Sequence, residues 1–340
     1  MQSIPTAKST SEVTLNHPQC EKIVGIVSMM KPSAAFYRRP YLQGAGSHET
    51  QFRMHFFAVA ICHQTYSLHH KAKNLFGWDF IEEVFLQLAA DASPLLQPAW
   101  LAGASLDEII ALLSAAFAED AACSLDRLPE RAQLMQQAAE VLLRDFGGSV
   151  EMLFSTSHYQ LINPQQSGLY HVMPHCETFA DPQQKKTTFL TKLLEDAGLV
   201  KIGDPENFIP IMDYHMQRVL LRTGCVEITD LTLRDQITQQ QPLSTDEPLR
   251  SRCIEAMRLI ACLSQQSVTR LNDIFWALGR SCCNHTLLCR DGHCEKSPCT
   301  LTQIYKIENH SQCVFQQICK GAADPEYQNL WEPRVQTHFY

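Results

Sequence analysis

No run of about 18 consecutive apolar residues occurs in this chain, which excludes a membrane-spanning helix. Residues 1–20 are polar and carry no charged-then-apolar leader. Together these two absences lead us to expect a soluble cytoplasmic protein with no membrane partner. A glycine fingerprint for dinucleotides, a phosphate-binding P-loop, an internal repeat and a series of alternating apolar and polar strand positions are also missing. Positive charge is in short supply. Twenty-eight Lys and Arg face 36 Asp and Glu, for a formal net charge of −8. Contact with a phosphate backbone must therefore come from a local basic patch.

Cysteine, in contrast, is abundant. Of 14 cysteines in 340 residues, seven fall between positions 282 and 319: Cys282, Cys283, Cys289, Cys294, Cys299, Cys313 and Cys319. In a chain without a secretion leader such clustering reads as metal ligation rather than a disulfide framework. The length allows one large domain or two smaller ones.

Apolar residues recur at helical spacing over 51–67, 74–90, 105–118, 130–146, 228–240, 246–264 and 267–280. Pro94, Pro98 and Gly103 mark 91–104 as a connector, and Gly147-Gly148 ends the helix over 130–146. The stretch 155–183 reads as an insertion or lid. The expected organisation is a loose tail at 1–20, an all-α core over 21–277 and a cysteine-rich metal region over 278–340.

The segment Ile211-Met212-Asp213-Tyr214-His215-Met216-Gln217-Arg218-Val219-Leu220-Leu221-Arg222-Thr223-Gly224 places an acid at the entry of a basic amphipathic helix. Asp is a good N-cap because its carboxylate accepts an orphan backbone N–H. Met212, Met216, Val219, Leu220 and Thr223 share a core-facing stripe. An ordinary capped helix is the plain reading. The pattern D-x-H-x-x-R-V-x-x-R-x-G, however, resembles the catalytic-aspartate segment of the helix-hairpin-helix DNA glycosylases, the endonuclease III type in particular.

That resemblance covers roughly residues 50–320. It implies a two-lobed all-α fold with Asp213 at the cleft, and an N-glycosidic bond hydrolase with Asp213 as its catalytic carboxylate. The substrate it implies is DNA with a modified or damaged base. Tyr214, His215 and Arg218 become substrate-binding candidates. So does Gln64, which follows an apolar helix and matches the glutamine that fills the space left by a flipped base. The family's iron–sulfur members carry C-x6-C-x2-C-x5-C. Cys282-x6-Cys289 and Cys313-x5-Cys319 match the outer spacings, and the middle departs. A 4Fe-4S cluster on Cys282, Cys289, Cys313 and Cys319 is the first choice, with Cys283, Cys294 and Cys299 as alternates. Tetrahedral zinc, with His285 or His293 taking part, is the competing reading, and unligated thiols are a third.

The family's hairpin glycines, which let backbone amides approach a DNA phosphate, have no counterpart in Thr178–Thr187. Lys186-Thr187 resembles the Lys-Thr that opens the second hairpin helix; in bifunctional members that lysine forms a Schiff base and cuts the strand as an abasic-site lyase. Lys186 as a surface lysine is the simpler alternative. Leu142-Leu143-Arg144-Asp145-Phe146-Gly147-Gly148-Ser149, Asp213-Tyr214 and the terminal Phe339-Tyr340 also resemble the queuosine-salvage family, which hydrolyses a free modified nucleotide. In both cases a carboxylate beside the anomeric carbon would stabilise the developing sugar cation and orient or deprotonate water. Tyr214, Phe179, Tyr159 and Trp78 are candidates to stack on the base, and His63, His171 and His175 are polar candidates. A non-catalytic, metal-stabilised binding protein is the remaining class.

Overall fold

The computed structural model describes residues 12–307 and 310–340. The chain is mostly helical. Among the described residues, sheet is confined to three two-stranded ribbons. No described helix is long and apolar enough to cross a membrane. The backbone divides into two compact units. One joins the residues up to Pro32 to Met212–Gln336, and the other joins Ser33–Ile211 to Thr337–Tyr340.

The first unit opens with strand β1 (Val13–Leu15) and helix α1 (His17–Val27). The expected loose tail at 1–20 is thus corrected over 12–20; its first 11 residues lie outside the described ones. Burial of Val13 in an antiparallel pair with Ile228 fixes the segment.

In the second unit the chain forms α2 (His48–Ala60), α3 (Trp78–Ala90), α4 (Leu106–Ala116), α5 (Leu128–Phe146) and α6 (Lys185–Asp196). Ser47 caps α2, and Ser105 with Glu108 forms a reciprocal capping box on α4. Gly147, in the left-handed region at φ +59°, ends α5 as its sequence predicts. The end of α2 explains much of this unit. The last carbonyls of a helix lack intrahelical donors, and here two cations supply them, with a third beside them. Arg131, wholly buried, donates to the carbonyls of Ile61 and His63 and to Asp126. Lys186 Nζ donates to the Ala60 carbonyl at 2.6 Å. Lys185 Nζ lies 3.4 Å from Cys62 Sγ.

Back in the first unit lie α7 (Tyr214–Thr223), β2 (Val226–Ile228), α8 (Glu247–Ser264) and α9 (Val268–Ala277). The chain then makes a π-helical turn, Leu278–Cys282, which runs into the cysteine-rich segment. Helix α7 is almost wholly buried. Asp213 caps its start, and Gly224, at φ +78°, closes it by donating to Leu220 and Leu221. The cysteine-rich region is therefore not a separate C-terminal domain. It shares a unit with the Asp213 helix, while Thr337–Tyr340 belong to the other unit.

Contact between the π-helical turn and α7 depends on the absence of a side chain at Gly279. A Cβ there would stand 2.4 Å from the His215 carbonyl oxygen and 2.8 Å from its carbon. These are backbone atoms in a capped helix, so neither can yield cheaply. Gly279→Ala should lower stability by about 1–3 kcal/mol, the usual cost of overpacking. Denaturant unfolding checks this, and a midpoint equal to wild type would show that the turn can move away from α7.

Candidate functional site

Asp213 occupies the N-cap of α7 with extended backbone and is 9% exposed. One carboxylate oxygen accepts from the Met216 N–H at 3.0 Å. The positive end of the helix favours its negative charge. Arg250 Nε donates to the Met212 carbonyl at 3.1 Å and fixes the residue just before it. Gln217 Nε2 donates to Asp246 at 3.0 Å and ties α7 to the start of α8.

The other predicted residues of this segment divide by environment. Tyr214 is buried, and its ring lies 4.2 Å from that of half-buried His215. Arg218 is 1% exposed. It donates to the carbonyls of Cys283 at 2.9 Å and Gly279 at 2.7 Å, pairs with Glu332, and lies 3.2 Å from His215 Nδ1. Its donors are thus committed to the π-helical turn, to Cys283 just after it and to Glu332. Arg222 does the same one turn later. It donates to the carbonyls of Leu330 at 2.8 Å and Asn284 at 3.0 Å, and its guanidinium stacks 4.5 Å over the Trp331 ring.

In the second unit, Gln64 is half-buried at φ +42°. Its side chain accepts from Arg127 at 2.8 Å, and its N–H donates to the Tyr340 carbonyl. Phe179 is a core residue stacked on Phe56. Trp78 Nε1 donates to Glu82, and Tyr159 is half-buried at φ +54°. His171 and His175 are exposed. His63 is wholly buried, 3.3 Å from Glu130; burial first, then the charge of Lys186, holds its imidazole neutral.

Lys186 is wholly buried rather than at the surface. Desolvation pulls its pKa down to about 7, aided by Lys185 and Arg131.

The cysteines sort into a pattern that spacing alone did not reveal. Cys282, Cys294, Cys299 and His310 bring one ligand atom each within 4.8 Å of all the others, and the group could hold a metal ion. Cys282 Sγ lies 3.6 Å from Cys299, 3.7 Å from Cys294 and 3.9 Å from His310 Nε2; Cys294 lies 3.1 Å from His310 Nε2. Hydrogen bonding from Cys282 and then Cys294 holds the Cys299 thiol far below its ordinary range, while Cys282 is pushed far above it. Three sulfurs this close do not all ionise unless a cation offsets their charge.

The first-choice ligand set is corrected accordingly. Cys282 gathers with two of the alternates, Cys294 and Cys299. Cys289, Cys313 and Cys319 lie outside the compact group. Neither His285, whose ring lies 4.7 Å from Trp331, nor exposed His293 joins the compact group. His310, which completes it, was missed. Its only signal was the order Cys294-x4-Cys299-x10-His310.

No protein-family model and no curated protein matches the chain.

Burial of Lys186 has a consequence for stability with a definite sign. Its amine ionises near pH 7 when folded and near 10.5 when unfolded. The unfolded state therefore binds more protons between these values, and stability rises with pH across that window. The slope is at most about 1.4 kcal/mol per pH unit. Lys186→Met should remove it, so that the variant's stability relative to wild type is greatest below pH 7 and declines toward pH 10.5. Paired denaturation curves at several pH values read this, and a pH-independent difference would contradict it.

Proposed function

We propose that this chain is an N-glycosidic bond hydrolase of the helix-hairpin-helix glycosylase type, with Asp213 as its catalytic carboxylate. The observation that carries the reading is the seat of Asp213: a short acid, nearly buried, fixed at the N-terminus of a rigid helix by Met216 and from behind by Arg250. Cleavage of a glycosidic bond builds positive charge on the sugar, and a preorganised carboxylate stabilises that charge in the transition state. One oxygen caps the helix. The carboxylate also orients water or takes its proton.

Two substrates share this chemistry, a modified base in DNA and a free modified nucleotide. The sequence pattern favours DNA. The environment of the cations favours the nucleotide. Arg218 and Arg222 spend their donors on backbone carbonyls, and Lys185 and Lys186 are buried at the end of α2. None of the four is placed to neutralise a string of phosphates. A strand-cutting role for Lys186 suits its lowered pKa but not its burial, so hydrolysis without strand cleavage is the reading preferred.

Cys282, Cys294, Cys299 and His310 fit a single zinc ion. Arms of about 2.3 Å to sulfur make a tetrahedron whose edges are close to the separations of 3.6 and 3.7 Å seen between these sulfurs. Four protein ligands close the shell, so such an ion would stabilise the fold rather than activate water.

Asp213→Asn tests the reading. Asn caps a helix about as well as Asp, so the variant should fold like wild type. Its turnover should fall by about 10²- to 10⁴-fold on whichever substrate the wild type cleaves, from duplexes with damaged bases to free modified nucleotides. Undiminished turnover in Asp213→Asn would remove the carboxylate from the mechanism, and a binding protein would keep its function in this variant.

A further inference from the structure

We propose that Cys282 and Cys294 are a site of oxidative modification: hydrogen peroxide joins the two sulfurs in a disulfide, and the zinc ion they would share with Cys299 and His310 leaves. This inference rests on the zinc reading of that group and is independent of the hydrolase reading.

The two sulfurs already stand close. Cys282 Sγ lies 3.7 Å from Cys294 and 3.6 Å from Cys299, against about 2.0 Å in a disulfide. The protein itself holds them there. The Ser281 carbonyl accepts from the Glu295 N–H at 3.0 Å, which ties the residue before Cys282 to the residue after Cys294. Ser281 Oγ accepts from the Thr300 N–H at 2.9 Å and donates to Thr300 Oγ1 at 2.9 Å, which ties in the residue after Cys299. Ser281 and Thr300 are both buried. Three stretches of backbone are thus joined beside their sulfurs, through groups that a metal does not use.

Exposure sets the order of attack. Cys294 is half-buried, whereas Cys282 is 1% exposed and Cys299 7%. Oxidation selects thiolates that the reagent can reach, and a metal-bound sulfur is a thiolate. The Cys294 sulfur attacks one oxygen of the peroxide. An S–O bond forms, the O–O bond breaks, and the hydroxide released takes a proton to become water. The Cys282 thiolate then attacks the sulfur of this sulfenic acid. An S–S bond forms, the S–O bond breaks, and a second hydroxide takes a proton. In sum, two thiolates, one peroxide and two protons give one disulfide and two waters. The sulfurs lose two electrons, the peroxide gains them, and the zinc ion departs with its charge unchanged. Cys299 and His310 remain, two ligands where tetrahedral zinc takes four.

Trypsin puts the three sulfurs on separate peptides. Peptide 281–290 carries Cys282 with Cys283 and Cys289, 291–296 carries Cys294 alone, and 297–306 carries Cys299 alone. The full-length chain, purified under reductant, is treated with hydrogen peroxide, and released zinc is read with a coloured chelator. About one zinc per chain should be released. Non-reducing digestion should then yield 281–290 joined to 291–296, with fragmentation placing the bond at Cys282. Dithiothreitol should split the pair and restore zinc binding. Cys294→His replaces the attacked sulfur with a ligand that forms no disulfide, so it should keep its zinc through a peroxide dose that strips the wild type. If that variant fails to fold, the wild-type peptide map decides alone. Zinc that stays bound while exposed Cys262 is oxidised would overturn the proposal. So would a link to 297–306, a bond at Cys283 or Cys289, or Cys294 carried to a sulfinic acid with no link. A chain that holds no zinc as purified would overturn the zinc reading too, so the two failures are distinct.

Discussion

Two buried arginines on one face of α7 set the arrangement on which the first unit depends. Arg218 and Arg222 reach out of the Asp213 helix and satisfy carbonyls of Gly279, Cys283, Asn284 and Leu330. Burying a guanidinium is costly. Hydrogen bonds that involve a charged group contribute about 1.5–3 kcal/mol each, and several are needed to offset that cost. The segment after α9 has little regular structure to satisfy its own backbone. The arginines supply the missing donors, and Gly279 lets the backbone come close enough to be reached. The helix that presents the catalytic candidate is thus also the wall against which the cysteine-rich segment is built.

The second unit solves a related problem in the same way. The carbonyls left without helical donors at the end of α2 are met by Arg131 and Lys186, with Lys185 beside them on Cys62. This explains why a lysine pair that reads as a surface feature is buried. It also explains how an acidic chain can contain basic motifs without a basic surface at those positions. In both units the cations are spent inside, on the backbone.

The helices were legible in the sequence because capping and periodicity agree. Asp213, Ser47 and Ser105 each cap the helix they precede, and Gly147 and Gly224 end theirs. The π-helical turn was not legible, since one widened turn leaves no periodic trace; the helix expected to run to 280 changes character at Leu278. A group able to hold a metal was legible from cysteine density, but which residues compose it was not. Cys282 belongs to the compact group and its sequence neighbour Cys283 does not, and His310 lies far along the chain from the last cysteine of the group. Spacing rules assume that ligands close in sequence serve one site. The roles of Arg218 and Lys186 were obscured for another reason: whether a cation faces solvent or a helix end is decided by tertiary packing.

If α7 is the shared support and the Cys282 group holds a metal as proposed, removing that metal should loosen α7. Hydrogen exchange over residues 212–224, measured before and after chelation, tests this most directly. The account predicts that these amides lose protection when the metal leaves, as the carbonyls held by Arg218 and Arg222 begin to move. Protection in 212–224 that is unchanged after complete metal removal would contradict it.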